Sequence, residues 1–273
     1  MPLNGKTAVV TGAAGALGFA AVRVLLEDRA QVALVDVDAM RMDSMIRFLR
    51  GNAVAVACDV SDPGAVKEAH RRIGKLLGPV DVLILNAGIS QRATLLETAP
   101  EVFDRLMNLN FAAQVDMIRR CLPAMVARGS GCLVAISSIA GLAGAPLRPA
   151  YSSAKHALAG LLQNLRSDLV GSGVRIVTVY PGYVRTAVAR NALAGDGEPL
   201  DTEDPNIAGG ADPAPVARRI LRAALGGRVE VRVAFDLKAR LGVFLSRHAP
   251  SLWATLSHRH ARTYGTTGNA RRP

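Results

Sequence analysis

Short apolar segments alternate with longer amphipathic ones along most of this chain. Seven apolar runs predict β-strands, at residues 7–11, 31–36, 53–58, 80–86, 131–137, 174–180 and 228–233. Between the strands, apolar positions recur every three or four residues and predict helices at residues 17–28, 40–50, 62–77, 100–128, 152–171 and 213–225. Regular alternation of strand and helix is typical of a doubly wound parallel sheet, so we expect a single α/β, Rossmann-like domain.

The alternating pattern stops in two places. Residues 187–211 are rich in Gly, Asp, Glu and Pro, and a polar stretch of this length predicts a lid over a functional site. After residue 235 the chain continues as two short amphipathic segments, 236–247 and 251–262, which Pro250 separates. We therefore predict a domain over residues 1–235 and a helical C-terminal extension over residues 236–273.

Composition narrows the class of protein. The chain has 273 residues, of which 50% are hydrophobic, so it can bury a full core. It contains no run of eighteen apolar residues and begins without the features of a signal peptide, so we expect a cytoplasmic protein. Cys58, Cys121 and Cys132 fall in predicted strands or helices and are expected in the core. His258 and His260 lack a third ligand, so we expect no metal site.

A glycine-rich turn joins the first strand to the first helix. The strand Thr7–Thr11 runs into Gly12-Ala-Ala-Gly15-Ala-Leu-Gly18, where backbone N–H groups and a helix N-terminus can hold a pyrophosphate. Such turns also serve as plain connectors. Here, however, the next strand ends in Asp36, where the ribose of a dinucleotide needs an acceptor for its hydroxyls.

Tyr151 and Lys155 lie four residues apart in a predicted helix and therefore project from the same face. A tyrosine ionises near pH 10, and a neighbouring cation favours the phenolate. Ser138 lies thirteen residues upstream, where its hydroxyl could hold the oxygen of an alcohol or ketone. This set of groups predicts general acid–base chemistry at that oxygen.

Together these segments resemble the short-chain dehydrogenase/reductase family from about Lys6 to Thr186. The matching segments are the Thr11–Gly18 loop, the adenine-binding Asp59, Asn86-Ala-Gly88, the catalytic Asn110, the group of Ser138, Tyr151 and Lys155, and the nicotinamide segment Pro181–Thr186. The sequence departs from the family in the glycine loop, where Ala16 replaces the middle glycine and Gly15 precedes it.

The resemblance implies an oxidoreductase that interconverts a secondary alcohol and a ketone with NAD. It assigns catalysis to Asn110, Ser138, Tyr151 and Lys155: Tyr151 exchanges the proton, Lys155 lowers the pKa of Tyr151, Ser138 orients the substrate oxygen and Asn110 fixes a relay water. It assigns cofactor binding to Gly12, Gly15, Ala16, Leu17, Gly18, Asp36, Asp59, Val60, Asn86, Ala87, Gly88, Tyr151, Lys155, Pro181, Gly182, Val184 and Thr186.

NAD is expected over NADP because Asp36 would repel a 2′-phosphate. Ala13, Ala14 and Val37 stand where NADP-dependent relatives carry a cation, so no compensating charge is predicted. Two other functions remain open: an NADPH-dependent ketoreductase, and a non-catalytic NAD(H)-binding sensor or scaffold. The second would tolerate loss of the catalytic tetrad, whereas all four residues are present.

The pocket walls are predicted from residues 91–93, residues 139–147, Tyr183 and the lid. They are mostly apolar apart from Arg92, which favours a hydrophobic or bulky substrate. The resemblance also implies a homodimer or homotetramer assembled through the two long helices after the fourth and fifth strands.

The positive charge is concentrated at the C-terminus. The formal net charge is +11, and residues 216–273 hold twelve Arg or Lys against two Asp or Glu. Apolar residues interleave with these cations from Phe235 to Leu256, which suits a segment that rests on an anionic membrane surface. The alternative is a helix that packs on its own domain or on a partner subunit. Nucleic acid is not an expected partner, since no binding motif accompanies the charge.

Overall fold

Seven parallel strands form one sheet in the computed structural model, which describes residues 2–202 and 204–265. In chain order the strands β1 to β7 are Thr7–Thr11, Gln31–Asp36, Ala53–Ala57, Val82–Leu85, Gly131–Ile136, Val174–Pro181 and Glu230–Val233. Their order across the sheet is β3-β2-β1-β4-β5-β6-β7, and every neighbouring pair is parallel. The predicted doubly wound, Rossmann-like fold is confirmed.

Ten α-helices connect and flank these strands in the described residues. In chain order α1 to α10 are Ala16–Glu27, Ala39–Ile46, Pro63–Leu77, Pro100–Met107, Ala113–Ala127, Pro149–Asp168, Pro205–Ala208, Pro213–Leu225, Leu237–His248 and Pro250–Gly265. Several begin where the sequence offers an N-cap, since Asp62, Asp212 and Asp236 each accept a backbone N–H of the first turn.

The strand order reverses between β1 and β4. From β1 the chain first builds outward to β2 and β3, then returns to place β4 on the other side of β1. In open α/β sheets the crevice outside the carboxyl ends of the strands at this switch point is the usual ligand site. The loops that begin at Gly12 and Asn86 both open into this crevice.

The sheet is buried on both faces, which explains the continuous apolar runs in the sequence. Strands β1, β4 and β5 are buried along their whole length. The three cysteines are buried and unpaired, as predicted, and burial raises the pKa of the Cys121 thiol to about 12. These thiols act as small core side chains.

One predicted helix is interrupted. Instead of a single helix over residues 100–128, a π-helical turn, Asn108–Ala112, separates α4 from α5. The side-chain amide of Asn110 donates to the Leu106 carbonyl over 3.0 Å. A regular α-helix gives that carbonyl to the backbone N–H of the same residue, so the side chain competes with the helix ladder.

The predicted lid folds against the loop after β4. The Leu193 N–H donates to the Ser90 carbonyl over 3.0 Å, and the Leu193 carbonyl accepts the Arg92 N–H over 2.9 Å. The Ala99 N–H donates to the Gly195 carbonyl over 2.8 Å. The segment is thus tied by backbone hydrogen bonds, although its described residues form only one short helix, α7.

The two C-terminal helices pack mainly against each other. Gly242 of α9 lies directly under the Trp253 ring of α10, where a methyl group would be 2.9 Å from the nearest ring atom. Among the residues that the structure describes, no helix combines the length and the apolar character needed to cross a membrane.

Candidate active site

A cavity of about 1190 Å³ opens at the carboxyl edge of the sheet, at the switch point. All but one of the predicted site residues line it. The exception, Gly18, is buried beneath the glycine loop, where a Cβ would be 2.2 Å from the Gly12 carbonyl oxygen. Gly18 therefore lets α1 approach β1 closely, and the expectation that it faces the cofactor is corrected in this respect.

The glycine loop leaves the N-terminus of α1 free to bind an anion. Gly12 has a φ of +63°, and a Cβ there would be 2.8 Å from the Cα of Ala87, so only glycine fits. Helix α1 has no side-chain N-cap and no acidic residue in its first turn. Its first residue, Ala16, is exposed in the cavity and helical, so the methyl group is accommodated. These features fit the pyrophosphate of a dinucleotide.

Asp36 lies at the end of β2 with its carboxylate held by backbone groups. Oδ2 accepts the Ala14 N–H over 2.9 Å, and Oδ1 accepts the Asp38 N–H over 3.1 Å. Each oxygen keeps a lone pair for a ribose hydroxyl. The sequence analysis did not consider Arg41 of α2, which lines the same cavity and whose backbone N–H donates to the Asp38 side chain.

Asn86 ties the fourth strand to the glycine loop. Its side-chain amide donates to the Thr11 and Gly12 carbonyls over 3.1 and 3.0 Å. In return the Thr11 hydroxyl accepts the backbone N–H groups of Asn86 and Ala87. The motif thus holds the two cofactor-facing loops in register. Asp59, which the resemblance assigns to adenine binding, accepts the Ser61 N–H and hydroxyl, and these bonds lower the pKa of its carboxyl.

Asn110 is fully buried at the π-helical turn. Its Nδ2 donates to the Ile89 and Leu106 carbonyls, both over 3.0 Å. Its Oδ1 accepts no hydrogen bond from the part of the chain that the structure describes. A methyl group on Gly88 would be 2.5 Å from this Oδ1 and 3.5 Å from Lys155 Nζ, so the two atoms border the same space.

Ser138, Tyr151 and Lys155 meet between the end of β5 and the start of α6. The Tyr151 hydroxyl lies close enough to Ser138 for the serine to lower its pKa, and Ser138 Oγ accepts the Ala140 N–H over 3.1 Å. Lys155 Nζ donates to the Ile136 carbonyl over 3.0 Å and lies 5.7 Å from the centroid of the Tyr151 ring. Two of the three donor positions of this ammonium remain for a ligand.

Burial, and not only the neighbouring cation Lys155 that the sequence analysis considered, shifts the pKa values of this group. Burial raises the pKa of Tyr151, while the hydrogen bond from Ser138 and the charge of Arg148 lower it. Burial also lowers the pKa of Lys155 to about 8. Burial disfavours the charged form of each, and Arg148 is a second cation that the sequence analysis overlooked.

Arg148 belongs to an ion cluster on the lid side of the cavity. Asp204, whose side chain is only 6% exposed, accepts one guanidinium N–H from Arg148 over 3.0 Å and another from Arg92 over 2.9 Å. Its other oxygen caps α7 by accepting the Asn206 N–H. The segment Asp204-Pro-Asn is an N-cap signature that could have marked this carboxylate in the sequence.

The predicted pocket walls are corrected in part. Gln91 is fully buried and does not line the cavity; its amide donates to the Thr98 hydroxyl and its Oε1 accepts the Ala150 N–H. Of residues 139–147, only Ile139 lines the cavity. The remaining walls near the catalytic group come from Ser90, Tyr183, Val188, Ala189, Ile207 and Ala208.

Comparison with known proteins identifies the family of this chain. The family model of the short chain dehydrogenases matches residues 6–196. Dehydrogenase/reductase SDR family member 7B of Bos taurus is 35% identical over 263 residues, which cover 93% of this chain and 81% of that protein. A short-chain dehydrogenase from Streptomyces avermitilis is 26% identical, with a TM-score of 0.76 over 96% of this chain and 99% of that one.

A short chain dehydrogenase/reductase from Burkholderia phymatum, solved in complex with NAD, shares the fold. It is 22% identical, with a TM-score of 0.82 over 92% of this chain and 96% of that one. The family match covers more than half of the chain and includes the four residues assigned to catalysis. The chain therefore belongs to the short-chain dehydrogenase/reductase family.

Proposed function

We propose that this protein interconverts a secondary alcohol and a ketone with NAD(H). The observation that carries the proposal is that Ser138, Tyr151 and Lys155 lie in one cavity with the uncapped N-terminus of α1. A cofactor anchored at that N-terminus and at Asp36 supplies the hydride acceptor. The protein supplies the proton transfer and the positioning.

Tyr151 exchanges the proton of the substrate oxygen. The phenol is buried, and Ser138 provides a second hydroxyl beside it that can hold the substrate. Arg148 and the Lys155 ammonium favour the phenolate, and a buried environment strengthens both interactions. In the oxidative direction the phenolate removes the hydroxyl proton; in the reductive direction the phenol returns it.

Lys155 and Asn110 connect this proton to solvent. Lys155, with a pKa of about 8, can release and regain a proton near neutral pH. The unpartnered Oδ1 of Asn110 borders the same space as Lys155 Nζ and is a suitable acceptor for a relay water.

NAD(H) is the proposed cofactor because the carboxylates of Asp36 and Asp38, with the cation Arg41 after them in the chain, line the part of the cavity proposed for the ribose. The NADPH-dependent ketoreductase is the second candidate, and the observation that favours it is Arg41 itself. A guanidinium is a good phosphate ligand, so the balance between these three charges decides the preference.

The proposed substrate has an apolar or bulky body. The support for this is that Ile139, Val188 and Ile207 line the cavity that holds the catalytic group. A panel of sterols, retinoids, long-chain alcohols and aryl alcohols, assayed by reduction of NAD, identifies the class. Assembly as a homodimer or homotetramer through α4, α5 and α6 is part of the same proposal, and light scattering measures it.

Replacing Tyr151 with Phe tests the proposal directly. We expect Tyr151→Phe to fold and to bind NADH as the parent does, and to lose about 10²–10⁴-fold in kcat, because only the ionisable oxygen is removed. Tyr183→Phe is the matched control, since Tyr183 lines the same cavity and should keep most of the activity. A Tyr151→Phe variant with more than a tenth of parent turnover would contradict the assigned base. Full NADH binding without turnover of any alcohol or ketone by the parent protein would favour a sensor or scaffold.

A further inference from the structure

An apolar stripe is exposed along helix α9. Leu237, Leu241 and Phe244 are 78%, 54% and 57% exposed. Their spacing of four and three residues puts them on one side of a helix that turns about 100° per residue. His248 extends the stripe by one turn and contacts the Phe244 ring, with centroids 4.6 Å apart. Single exposed hydrophobic residues are ordinary, but a continuous stripe marks a contact surface.

The stripe is not the face that holds the two C-terminal helices together. Gly242 contacts Trp253, and at about 100° per residue it lies well away from Leu241 and Phe244 around α9. Helix α10 likewise keeps Trp253 partly buried while Leu252 and Leu256 are 50% and 41% exposed. The helical hairpin of α9 and α10 therefore pairs internally and still presents apolar side chains outward.

Cations flank the exposed stripe. Lys238 lies on one side of it, and Arg240 and Arg247 lie on the other, all three exposed. Residues 237–265 contain five Arg or Lys and no Asp or Glu. A surface that combines apolar side chains with one sign of charge is complementary to an anionic lipid bilayer, where acyl chains take the apolar groups and headgroups take the cations.

We propose that the α9–α10 hairpin docks this protein peripherally on anionic membrane surfaces. A second copy of the chain is the competing occupant. A twofold contact through the same face would bring two hairpins of equal positive charge together, which their mutual repulsion opposes. An anionic membrane, for example one that contains phosphatidylserine, causes no such repulsion, because its headgroups carry the opposite charge to the hairpin.

Docking in this way would place the cavity near the bilayer. The hairpin begins directly after β7, where the Ala234 carbonyl lies so close to Gly182 that a Cβ there would be 1.9 Å from its oxygen. Gly182 lines the cavity, so α9 starts at the rim of the candidate active site. This consequence rests on the proposed function: an apolar alcohol dissolved in the membrane would reach the site without crossing water.

Vesicle co-sedimentation of the full-length protein tests the docking. Vesicles of phosphatidylcholine with 30% phosphatidylserine are expected to bind the parent protein, and binding is expected to weaken as salt rises. Leu241→Ser/Phe244→Ser should lower the partition coefficient by roughly tenfold or more. Lys238→Gln/Arg240→Gln/Arg247→Gln should lower it by about a hundredfold, at about 1 kcal/mol for each cation.

Phe48→Ser is the matched control. Phe48 is 85% exposed and stands between Arg47 and Arg50, but it follows α2, near the β3 edge of the sheet, opposite to the β7 edge that carries the hairpin. This variant should bind vesicles as the parent does. All variants should keep parent turnover of a water-soluble alcohol, so a failure of membrane docking is distinguishable from a failure of the proposed catalysis.

Two outcomes would overturn the docking proposal. Equal sedimentation of parent and hairpin variants would assign any vesicle binding to another surface. A change in oligomeric state of Leu241→Ser/Phe244→Ser by light scattering, with no vesicle binding by the parent, would assign the stripe to a contact between subunits.

Discussion

At the scale of single residues, the site depends on groups whose burial changes their chemistry. Burial raises the pKa of Tyr151 and lowers that of Lys155 to about 8, so it favours the uncharged form of each group. Arg148 supplies a further cation that acts on the phenol. The proposed action of Tyr151 and Lys155 thus includes the charge of Arg148, which Asp204 of the lid holds in place.

Replacement of Gly88 should disturb both folding and catalysis, because this residue borders the Asn110 side chain. A methyl group at position 88 would be 2.5 Å from Asn110 Oδ1, so Gly88→Ala must displace the Asn110 side chain. We expect a loss of about 1–3 kcal/mol in the free energy of unfolding, the usual cost of overpacking, and at least tenfold in kcat. Urea unfolding and steady-state kinetics measure the two effects.

Gly74→Ala is the control for that substitution. Gly74 lies inside α3, and no heavy atom lies within 4 Å of the position that its Cβ would take. Alanine should therefore stabilise the protein by about 0.5–1 kcal/mol through helix propensity and leave kcat unchanged. If Gly88→Ala retained parent kcat, the space beside Asn110 and Lys155 would have no catalytic role.

At the scale of elements, the lid is joined to the catalytic helix by one carboxylate. Asp204 caps α7 and accepts hydrogen bonds from Arg92, in the loop after β4, and from Arg148, the N-cap residue of α6. Tyr151 lies in the first turn of that same helix. The position of the lid and the charge beside Tyr151 are therefore linked through a single side chain.

Asp204→Asn should loosen this link without removing the cap, because asparagine is also a good N-cap residue. Two partly buried guanidiniums would lose their anion, at a cost of about 1–3 kcal/mol in the free energy of unfolding. We expect KM for the alcohol to rise by tenfold or more while the dissociation constant for NADH changes little. Steady-state kinetics and NADH fluorescence titration give the two values.

Asp212→Asn provides the comparison. Asp212 also caps a helix and pairs with an arginine, Arg185, over 3.0 Å, but both side chains are more than half exposed. Exposed ion pairs contribute about 0–1 kcal/mol, so this variant should resemble the parent. Equal effects of the two substitutions would show that the buried position of Asp204 is unimportant.

At the scale of the whole molecule, cofactor binding and stability are coupled, since the cavity is built from the ends of several strands and helices of one sheet. A ligand that binds only the folded protein raises the midpoint of thermal unfolding. If Asp36, Asp38 and Arg41 set the cofactor preference as proposed, they also set which cofactor stabilises the whole chain.

NADH is expected to stabilise the protein more than NADPH at equal concentration. A tenfold difference in affinity corresponds to about 1.4 kcal/mol, which is about 3–6 °C in the unfolding midpoint of a chain of this size. Differential scanning fluorimetry measures it. Asp36→Asn should narrow the difference between the two unfolding midpoints. Arg41→Gln should widen it, because NADPH would bind more weakly. Equal shifts for both cofactors, or a larger one for NADPH, would assign the protein to the NADPH-dependent class.

The sequence by itself determined the sheet, the order of its elements along the chain and the residues proposed for catalysis. These features depend on local signals: apolar runs set the strands, Gly12 and Asp36 mark the cofactor loop, and the four-residue spacing of Tyr151 and Lys155 fixes a shared helix face. A regular helix or strand fixes the relative positions of side chains that are close in sequence. Those positions can therefore be predicted from the sequence pattern without knowledge of the rest of the fold.

Only the tertiary structure decided the contacts between segments distant in sequence. The meeting of Arg148 with Asp204, 56 residues apart, depends on how the lid lies over the sheet. The π-helical turn at Asn110 and the burial of Gln91 likewise depend on packing. So does the presence of Arg41 in the cavity. No local pattern encodes the distance between two loops, because that distance is set by the close packing of every element between them.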